Sequence, residues 1–273
     1  MRFGTRNDSL LAEGARAHYR EPLYYTKNYK SRTADVAFYR DLAARSGGPV
    51  LEYGCGNGRI TIPIAQQGVE IVGMDHAKEM LASFAERLKK LPEDVRDRIT
   101  LVRGDMRKKR IRKRFKLVLC TFNSLLHLYD RADIEGFLAC VRSHLQPGGR
   151  LVFDVSMPSA SELARDPNRG FRVPPMRYPA TGELVRYAEY FDYDAARQIL
   201  YVTMKFEPVD APERAWTTLL AHRQYHPKEL EALLHYNGFE VESVTSDFDK
   251  TPLDRYTDSA VWTARLGRKG ARS

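Results

Sequence analysis

From residue 49 to residue 155, short apolar runs rich in β-branched residues alternate with stretches whose apolar positions recur every three or four residues. A parallel sheet with crossover helices requires that alternation. It predicts strands at 50–53, 70–74, 99–102, 116–120 and 150–155, with helices at 59–67, 77–91 and 132–144. Met80, Leu81, Phe84, Ala85 and Leu88 share one face of the second helix, and Ile134, Phe137, Leu138, Val141 and Leu145 share one face of the third. Pro147, Gly148 and Gly149 stop that helix sharply before the next strand. The order predicts a doubly wound α/β sheet with right-handed crossovers, in which ligands sit beyond the carboxyl ends of the strands.

Past residue 158 the alternation breaks. Runs at 184–192 and 199–207 flank the turn 193–197, and 215–225 reads as a third strand, so an antiparallel β insertion is expected. Pro227 at a helix start, the run 229–236 and the stop at Gly238 restore the first pattern. Strands at 239–244 and 260–266 then complete a mostly parallel, seven-stranded sheet. The expected organisation is an N-terminal cap and first half over 1–157, the insertion over 158–225, a closing segment over 226–267 and a loose tail over 268–273. No internal repeat and no low-complexity linker interrupts it.

With 273 residues, 43% of them apolar, the chain can bury a sizeable core. No stretch nears the roughly 18 apolar residues of a membrane span. The first 18 residues are polar and helix-prone, unlike a charged leader followed by an apolar block, so a cytoplasmic protein without a membrane partner is expected. Cys55, Cys120 and Cys140 lack metal-ligand spacing and the dense pairing of a disulfide scaffold; they read as reduced thiols. No compact set of carboxylates or histidines points to a metal. The formal charge of +9 is concentrated in the run 107–116, which reads either as a solvated loop or as a surface for phosphates.

The strongest chemical signal is Glu52-Tyr53-Gly54-Cys55-Gly56-Asn57-Gly58, an acid at a strand end followed by alternate glycines. Glycines there let the backbone turn tightly and approach a ligand with no Cβ in the way. A dinucleotide site would want glycine or alanine where Arg59 stands, and an acid two residues before the first glycine is out of place beside a pyrophosphate. A carboxylate at Glu52 suits a ligand carrying an ammonium group.

The motif resembles that of the class I, Rossmann-like S-adenosylmethionine-dependent methyltransferases, and the likeness continues through Val72-Gly73-Met74-Asp75, Arg103-Gly104-Asp105-Met106, Thr121-Phe122-Asn123 and Leu145-Gln146-Pro147-Gly148-Gly149. Lys116 departs from the family, which often has an acid there. The resemblance implies S-adenosyl-L-methionine as cofactor, its ribose hydroxyls held by Asp75, its adenine by Asp105 and the backbone of Met106, and its methyl lined by 121–123. Arg32, Gly54, Cys55, Gly56, Asn57, His76, Met80 and Gly104 fill out the expected cofactor contacts. The aromatic segment around Tyr25 and Tyr29 is similar to an N-terminal element that folds over the cofactor in amino-sugar N-methyltransferases; the two rings either cover the sulfonium or simply pack.

By the same resemblance the insertion forms a lid over a small-molecule acceptor, with Tyr190, His222 and Arg223 as candidate acceptor contacts; its aromatics read equally as its own core or a dimer contact. His127 follows the fourth strand, where an imidazole serves as a general base or as a hydrogen-bonded structural group. With Tyr25 it makes the candidate catalytic pair. The expected reaction is methylation of a nitrogen or oxygen on a small molecule. RNA methylation through the basic run and a non-catalytic cofactor-binding partner are the alternatives, and a homodimer is compatible with either.

Overall fold

The computed structural model describes residues 9–267; the opening residues 1–8, part of the expected helix-prone start, and the expected loose tail at 268–273 lie outside the described residues. The helices are α1 Ser9–Gly14, α2 Pro22–Asn28, α3 Ala34–Ser46, α4 Thr61–Gln66, α5 Lys78–Leu88, α6 Glu93–Arg96, α7 Arg131–His144, α8 Ala160–Leu163 and α9 Pro227–Tyr236. The strands are β1 Val50–Tyr53, β2 Ile71–Asp75, β3 Ile99–Arg103, β4 Phe115–Cys120, β5 Leu145–Ser156, β6 Phe171–Arg177, β7 Leu184–Asp194, β8 Ile199–Pro208, β9 Trp216–Arg223, β10 Phe239–Ser246 and β11 Ser259–Leu266. They fall into two compact units, one of residues 30–157 and 225–267, the other of residues 9–29 and 158–224.

The larger unit holds a seven-stranded sheet in the order β10-β11-β5-β4-β1-β2-β3. β1 pairs in parallel with β2 and β4, β4 with β5 and β2 with β3, whereas β11 runs antiparallel to both β5 and β10. The order reverses direction at β1, which puts the ends of β1 and β4 at the topological switch point where such sheets bind ligands. All four residues of β1 are buried, as a central parallel strand covered on both faces requires. Alternate residues feed two cores: Val118 and Cys120 join Phe137 and Leu138 of α7 on one face, while Leu117 and Leu119 join Tyr39 of α3 and Ile64 of α4 on the other.

In the larger unit α3 and the starts of α4 and β5 differ from the sequence pattern. α3 was not expected: its turns are half charged or polar, and only Asp35, Tyr39 and Ala43 are buried. The helix expected from residue 59 begins at Thr61, because Gly58 at φ +84° still belongs to the preceding turn. β5 starts at Leu145 instead of Arg150; Leu145 pairs with Phe115, the Pro147-Gly148-Gly149 segment bulges out, and regular pairing resumes at Arg150 with Leu117.

The smaller unit is a four-stranded antiparallel sheet, β6-β7-β8-β9. Its core joins Tyr24 of α2 to Tyr178, Val185, Tyr187, Met204 and Phe206. Tyr24 stacks on Tyr178 with centroids 5.7 Å apart and meets Phe206 edge-on at 5.1 Å. β6 adds a strand the sequence pattern did not indicate: Pro174 and Pro175 interrupt it, which an edge strand tolerates, and the register shifts between Val173 and Met176 around them. Among the described residues no helix is long and apolar enough to cross a membrane.

In the larger unit, Phe153 of β5 lies opposite Trp262 of β11, stacked at 5.9 Å and 2°, both rings buried. Phe153→Ala is expected to destabilise the protein by about 3–5 kcal/mol, as measured by urea unfolding followed through tryptophan fluorescence.

Candidate functional site

The turn after β1 is built on the end of β2. The N–H groups of Gly54 and Cys55 both donate to the Met74 carbonyl, at 2.8 and 3.1 Å. Gly54 sits at φ +69°, and a Cβ there would come within 2.3 Å of the Ser124 hydroxyl; at Gly58 it would come within 2.4 Å of the Phe84 ring. Gly56 N–H donates to Asp75 Oδ2 at 2.8 Å, and Ala77 N–H donates to Asp75 Oδ1 at 2.8 Å. Asp75 thus holds the glycine turn to the start of α5. Its side chain remains 11% exposed. Burial raises its pKa, and the Ala77 and Gly56 N–H bonds oppose that rise. Neighbouring His76 has its ring 56% exposed.

Glu52 lies behind the turn, 1% exposed. Thr61 of α4 donates to its Oε2 at 2.5 Å, and Thr121, just past β4, donates to Oε1 at 2.8 Å. Burial pushes its pKa up to about 7 against these two bonds. Cys55 and Asn57 are also buried; the Asn57 carbonyl accepts from Arg87 at 2.7 Å. Burial pushes the Cys55 thiol well above the ordinary range, so it is a neutral wall residue. Met80 is buried beneath Gly56.

After β3, Gly104 N–H donates to the Asp75 carbonyl at 2.9 Å. The Asp105 carboxylate is engaged by Arg107, whose Nε and Nη2 approach at 2.9 and 2.7 Å, and Arg107 also reaches Asp133 at 2.5 Å. The Arg107 side chain beside it holds the Asp105 pKa below the usual carboxylate range. Met106 packs against the α7-side core. Several cations of the run 107–116 have partners within this unit: Arg110 donates to the Ala139 carbonyl, Lys113 pairs with Glu70 and Arg114 donates to the Leu145 carbonyl.

Beyond β4 the backbone takes an unusual path. Phe122 and Asn123 both have positive φ, 52° and 63°, although neither is glycine; such conformations cost about 1–3 kcal/mol each. Phe122 N–H donates to Asp154 Oδ1 at 2.8 Å, and Asn123 exchanges two hydrogen bonds with Ser156, at 2.8 and 2.6 Å. The Arg59 guanidinium lies 4.3 Å from the Phe122 ring centroid, with Arg32 at 5.6 Å, and Arg59 also donates to both oxygens of Asp35 and to the Arg32 carbonyl. His127 follows, half-buried, its Nδ1 3.1 Å from the Tyr129 hydroxyl.

In the smaller unit, the Tyr25 and Tyr29 rings meet edge-on at 4.8 Å, and the Tyr29 hydroxyl lies 3.0 Å from His18 Nε2. Burial drives the His18 pKa down to about 4, so that imidazole is neutral near pH 7. Tyr190, His222 and Arg223 do not share one side of the sheet. The register Tyr190–Thr203–Leu219 puts Tyr190 and Arg223 on one face and His222 on the other, because side chains alternate along β9. Burial, with neighbouring His18, pushes the His222 pKa down to about 3.

The structure therefore gathers the candidates at 32, 52–57, 75–80, 104–106 and 121–127 around the strand ends of the larger unit and leaves Tyr25, Tyr29, Tyr190, His222 and Arg223 in the other. Sequence reasoning missed Thr61, Asp154, Tyr39 and the Asp35–Arg59 pair. An acid inside the apolar run Leu151-Val152-Phe153-Asp154-Val155 was the available signal for Asp154. Among the described residues no group of three or more His, Cys, Asp or Glu is placed to hold a metal ion.

A family described as a methyltransferase domain matches residues 50–149, from the first residue of β1 to the bulge in β5. The glycopeptide N-methyltransferase MtfA, in complex with sinefungin, is 30% identical over 85% of this chain and 86% of its own, with a TM-score of 0.60. The CcbJ methyltransferase from Streptomyces caelestis shares the fold, with a TM-score of 0.76 over 93% of this chain and 99% of that one at 21% identity. A dTDP-3-amino-3,4,6-trideoxy-alpha-D-glucopyranose N,N-dimethyltransferase of Streptomyces venezuelae is 26% identical over 128 residues, 47% of this chain and 51% of that protein, so the match spans about half of each. With a family match that opens at β1 and takes in the glycine turn, and a relative 30% identical across most of both chains, this chain belongs to the class I S-adenosylmethionine-dependent methyltransferases.

Proposed function

We propose that the enzyme methylates a nitrogen or oxygen of a small-molecule acceptor, with nitrogen favoured, and that its cofactor is held by the β1 turn and Asp75. The observation that carries the cofactor side is the Asp75 carboxylate. Each of its oxygens accepts one backbone N–H and has a second lone-pair direction, so two adjacent ribose hydroxyls fit without displacing the bonds that shape the turn. The turn at Gly54 and Gly56 offers backbone with no Cβ, and Glu52 behind it supplies a carboxylate for an ammonium group. Bound S-adenosylmethionine would supply a methyl on a positively charged sulfur, open to in-line attack.

The chain's own task is to hold the reactants collinear, exclude water and accept a proton. His127 meets the last need if its Nδ1–H is donated to the Tyr129 hydroxyl, which leaves the lone pair on Nε2. Asp105, already forked by Arg107, would reach an adenine amine through its remaining lone pairs. Acceptor selection is assigned to the smaller unit, with Tyr190, His222 and Arg223 as candidates. Nitrogen is favoured because MtfA and the sugar enzyme are both named as N-methyltransferases. A nucleic-acid acceptor is not favoured, since much of the basic run is occupied by partners in its own unit. We place the enzyme in the cytoplasm, where the cofactor is made available.

The direct test is incubation with methyl-labelled S-adenosylmethionine and a metabolite extract, followed by mass spectrometry for products heavier by one methyl; label appearing only in RNA would overturn the small-molecule reading. Asp75→Ala is expected to weaken S-adenosylhomocysteine binding by about 10- to 100-fold, from the loss of two charge-assisted hydrogen bonds, as read by calorimetry. His127→Ala should lower turnover while leaving that affinity within about threefold; wild-type turnover would remove the base role.

Glu52 gives a pH test. Its folded pKa of about 7 exceeds the ordinary 4.5, so the folded state binds the extra proton and stability falls as pH rises between those values. Glu52→Gln should therefore raise the melting temperature at pH 8 and change it little at pH 4. An ammonium beside Glu52 favours the carboxylate, so S-adenosylhomocysteine binding at pH 7 should release part of a proton in the wild type and none in Glu52→Gln, as measured by calorimetry in buffers of different ionisation enthalpy.

A further inference from the structure

We infer that Asp154, near the carboxyl end of β5, is a positioning residue for methyl transfer: with Tyr39 it fixes the left-handed Phe122–Asn123 turn that carries the segment assigned to the reacting methyl. The inference rests on the cofactor placement proposed above, and its test separates the two.

Two consecutive non-glycine residues at positive φ do not hold that shape unaided, least of all a phenylalanine. Their ties come from one side of β5 and from α3. Asp154 Oδ1 accepts both the Phe122 N–H at 2.8 Å and the Tyr39 hydroxyl at 2.5 Å. Ser156, two residues on and so on the same side of the strand, exchanges its two bonds with Asn123. Arg59 covers the Phe122 ring and is itself clamped by Asp35.

Asp154 is 2% exposed and sits in the otherwise apolar run 151–155 of β5. A buried carboxylate is costly unless its bonds compensate, and a valine there would extend the core. The bonds Asp154 does make serve the turn. Thr121, immediately before the turn, donates to Glu52, so the path of residues 121–123 is fixed at one end by Glu52 and at the other by Asp154 and Ser156. Asp154 has no hydrogen bond to the glycine turn or to Asp75 among the described residues. Loss of its carboxylate should therefore release the turn and spare the cofactor's sugar and amino-acid contacts, which is a loss of turnover at nearly constant affinity.

The experiment compares Asp154→Ala, Asp154→Asn and Tyr39→Phe with wild type by three readouts: backbone hydrogen exchange of residues 121–124 followed by mass spectrometry, S-adenosylhomocysteine affinity by calorimetry, and turnover of labelled S-adenosylmethionine with the extract fraction that accepts methyl. For Asp154→Ala, exchange should rise and kcat fall by about tenfold or more, with affinity and the cofactor KM within about threefold. Asp154→Asn keeps an acceptor oxygen for Phe122 N–H and should restore protection and most of the turnover; Tyr39→Phe should fall between. Unchanged exchange in a folded Asp154→Ala protein overturns the inference, as do affinity, melting temperature and turnover that decline together in Asp154→Asn. Wild-type protein that binds no S-adenosylhomocysteine would instead refute the cofactor placement, with exchange at 121–124 still deciding what Asp154 holds.

Discussion

One carboxylate organises the switch point of the larger sheet. Asp75 ends β2, accepts the Gly56 N–H from the turn after β1 and the Ala77 N–H at the head of α5, while its own carbonyl receives Gly104 N–H from the segment after β3. Three strand ends are thereby tied to one residue whose side chain still meets solvent. The glycines work within that constraint: with the Met74 carbonyl taking two N–H groups, the chain has to reverse so tightly that a side chain at Gly54 would strike Ser124. The shape of the cradle follows from β2, and the glycines only permit it.

On the β4 side the structure takes a different approach. No glycine is present at 122 or 123, and the left-handed path is imposed from outside by Asp154, Ser156 and the Arg59 cover. One rim of the strand ends is thus shaped by permissive residues and the other by enforced ones. Enforced conformations are common where geometry has to be reproducible to fractions of an ångström. Arg59, which spoils the dinucleotide pattern, has its physical reason here: its guanidinium covers an aromatic ring and fills a carboxylate fork at Asp35, a task glycine cannot perform.

Much of this could be read from residue order alone. β1, β2 and β4 stand where apolar runs place them, because central strands covered on both faces advertise themselves as nearly continuous apolar runs. The carboxylates at 52 and 75 were legible because they terminate such runs. α3 was not, since a helix that buries only a few side chains barely modulates its pattern, and β6 was hidden by its two prolines. Asp154 could be noticed but not interpreted: its partner at Phe122 depends on how β4 and β5 align, which a bulge at Pro147 to Gly149 resets. Tyr190, His222 and Arg223 shared the neighbourhood of one sheet in the sequence, yet the alternation of β9 separates the last two.

The smaller unit is discontinuous in the chain, and this bears on how the protein is made. Tyr24 leaves the ribosome early, but Tyr178 and Phe206, against which it packs, come more than 150 residues later. At about 5–20 residues per second, roughly 10–40 s pass before that core can close. Throughout that interval the aromatic N-terminal helices have no native partner from the β-strands of their own unit, and the first five strands of the larger sheet emerge before any of those partners do. Early exposure of tyrosine-rich helices, and a late, long-range closure, make biosynthesis the stage at which this fold is most open to chaperones and to misassembly.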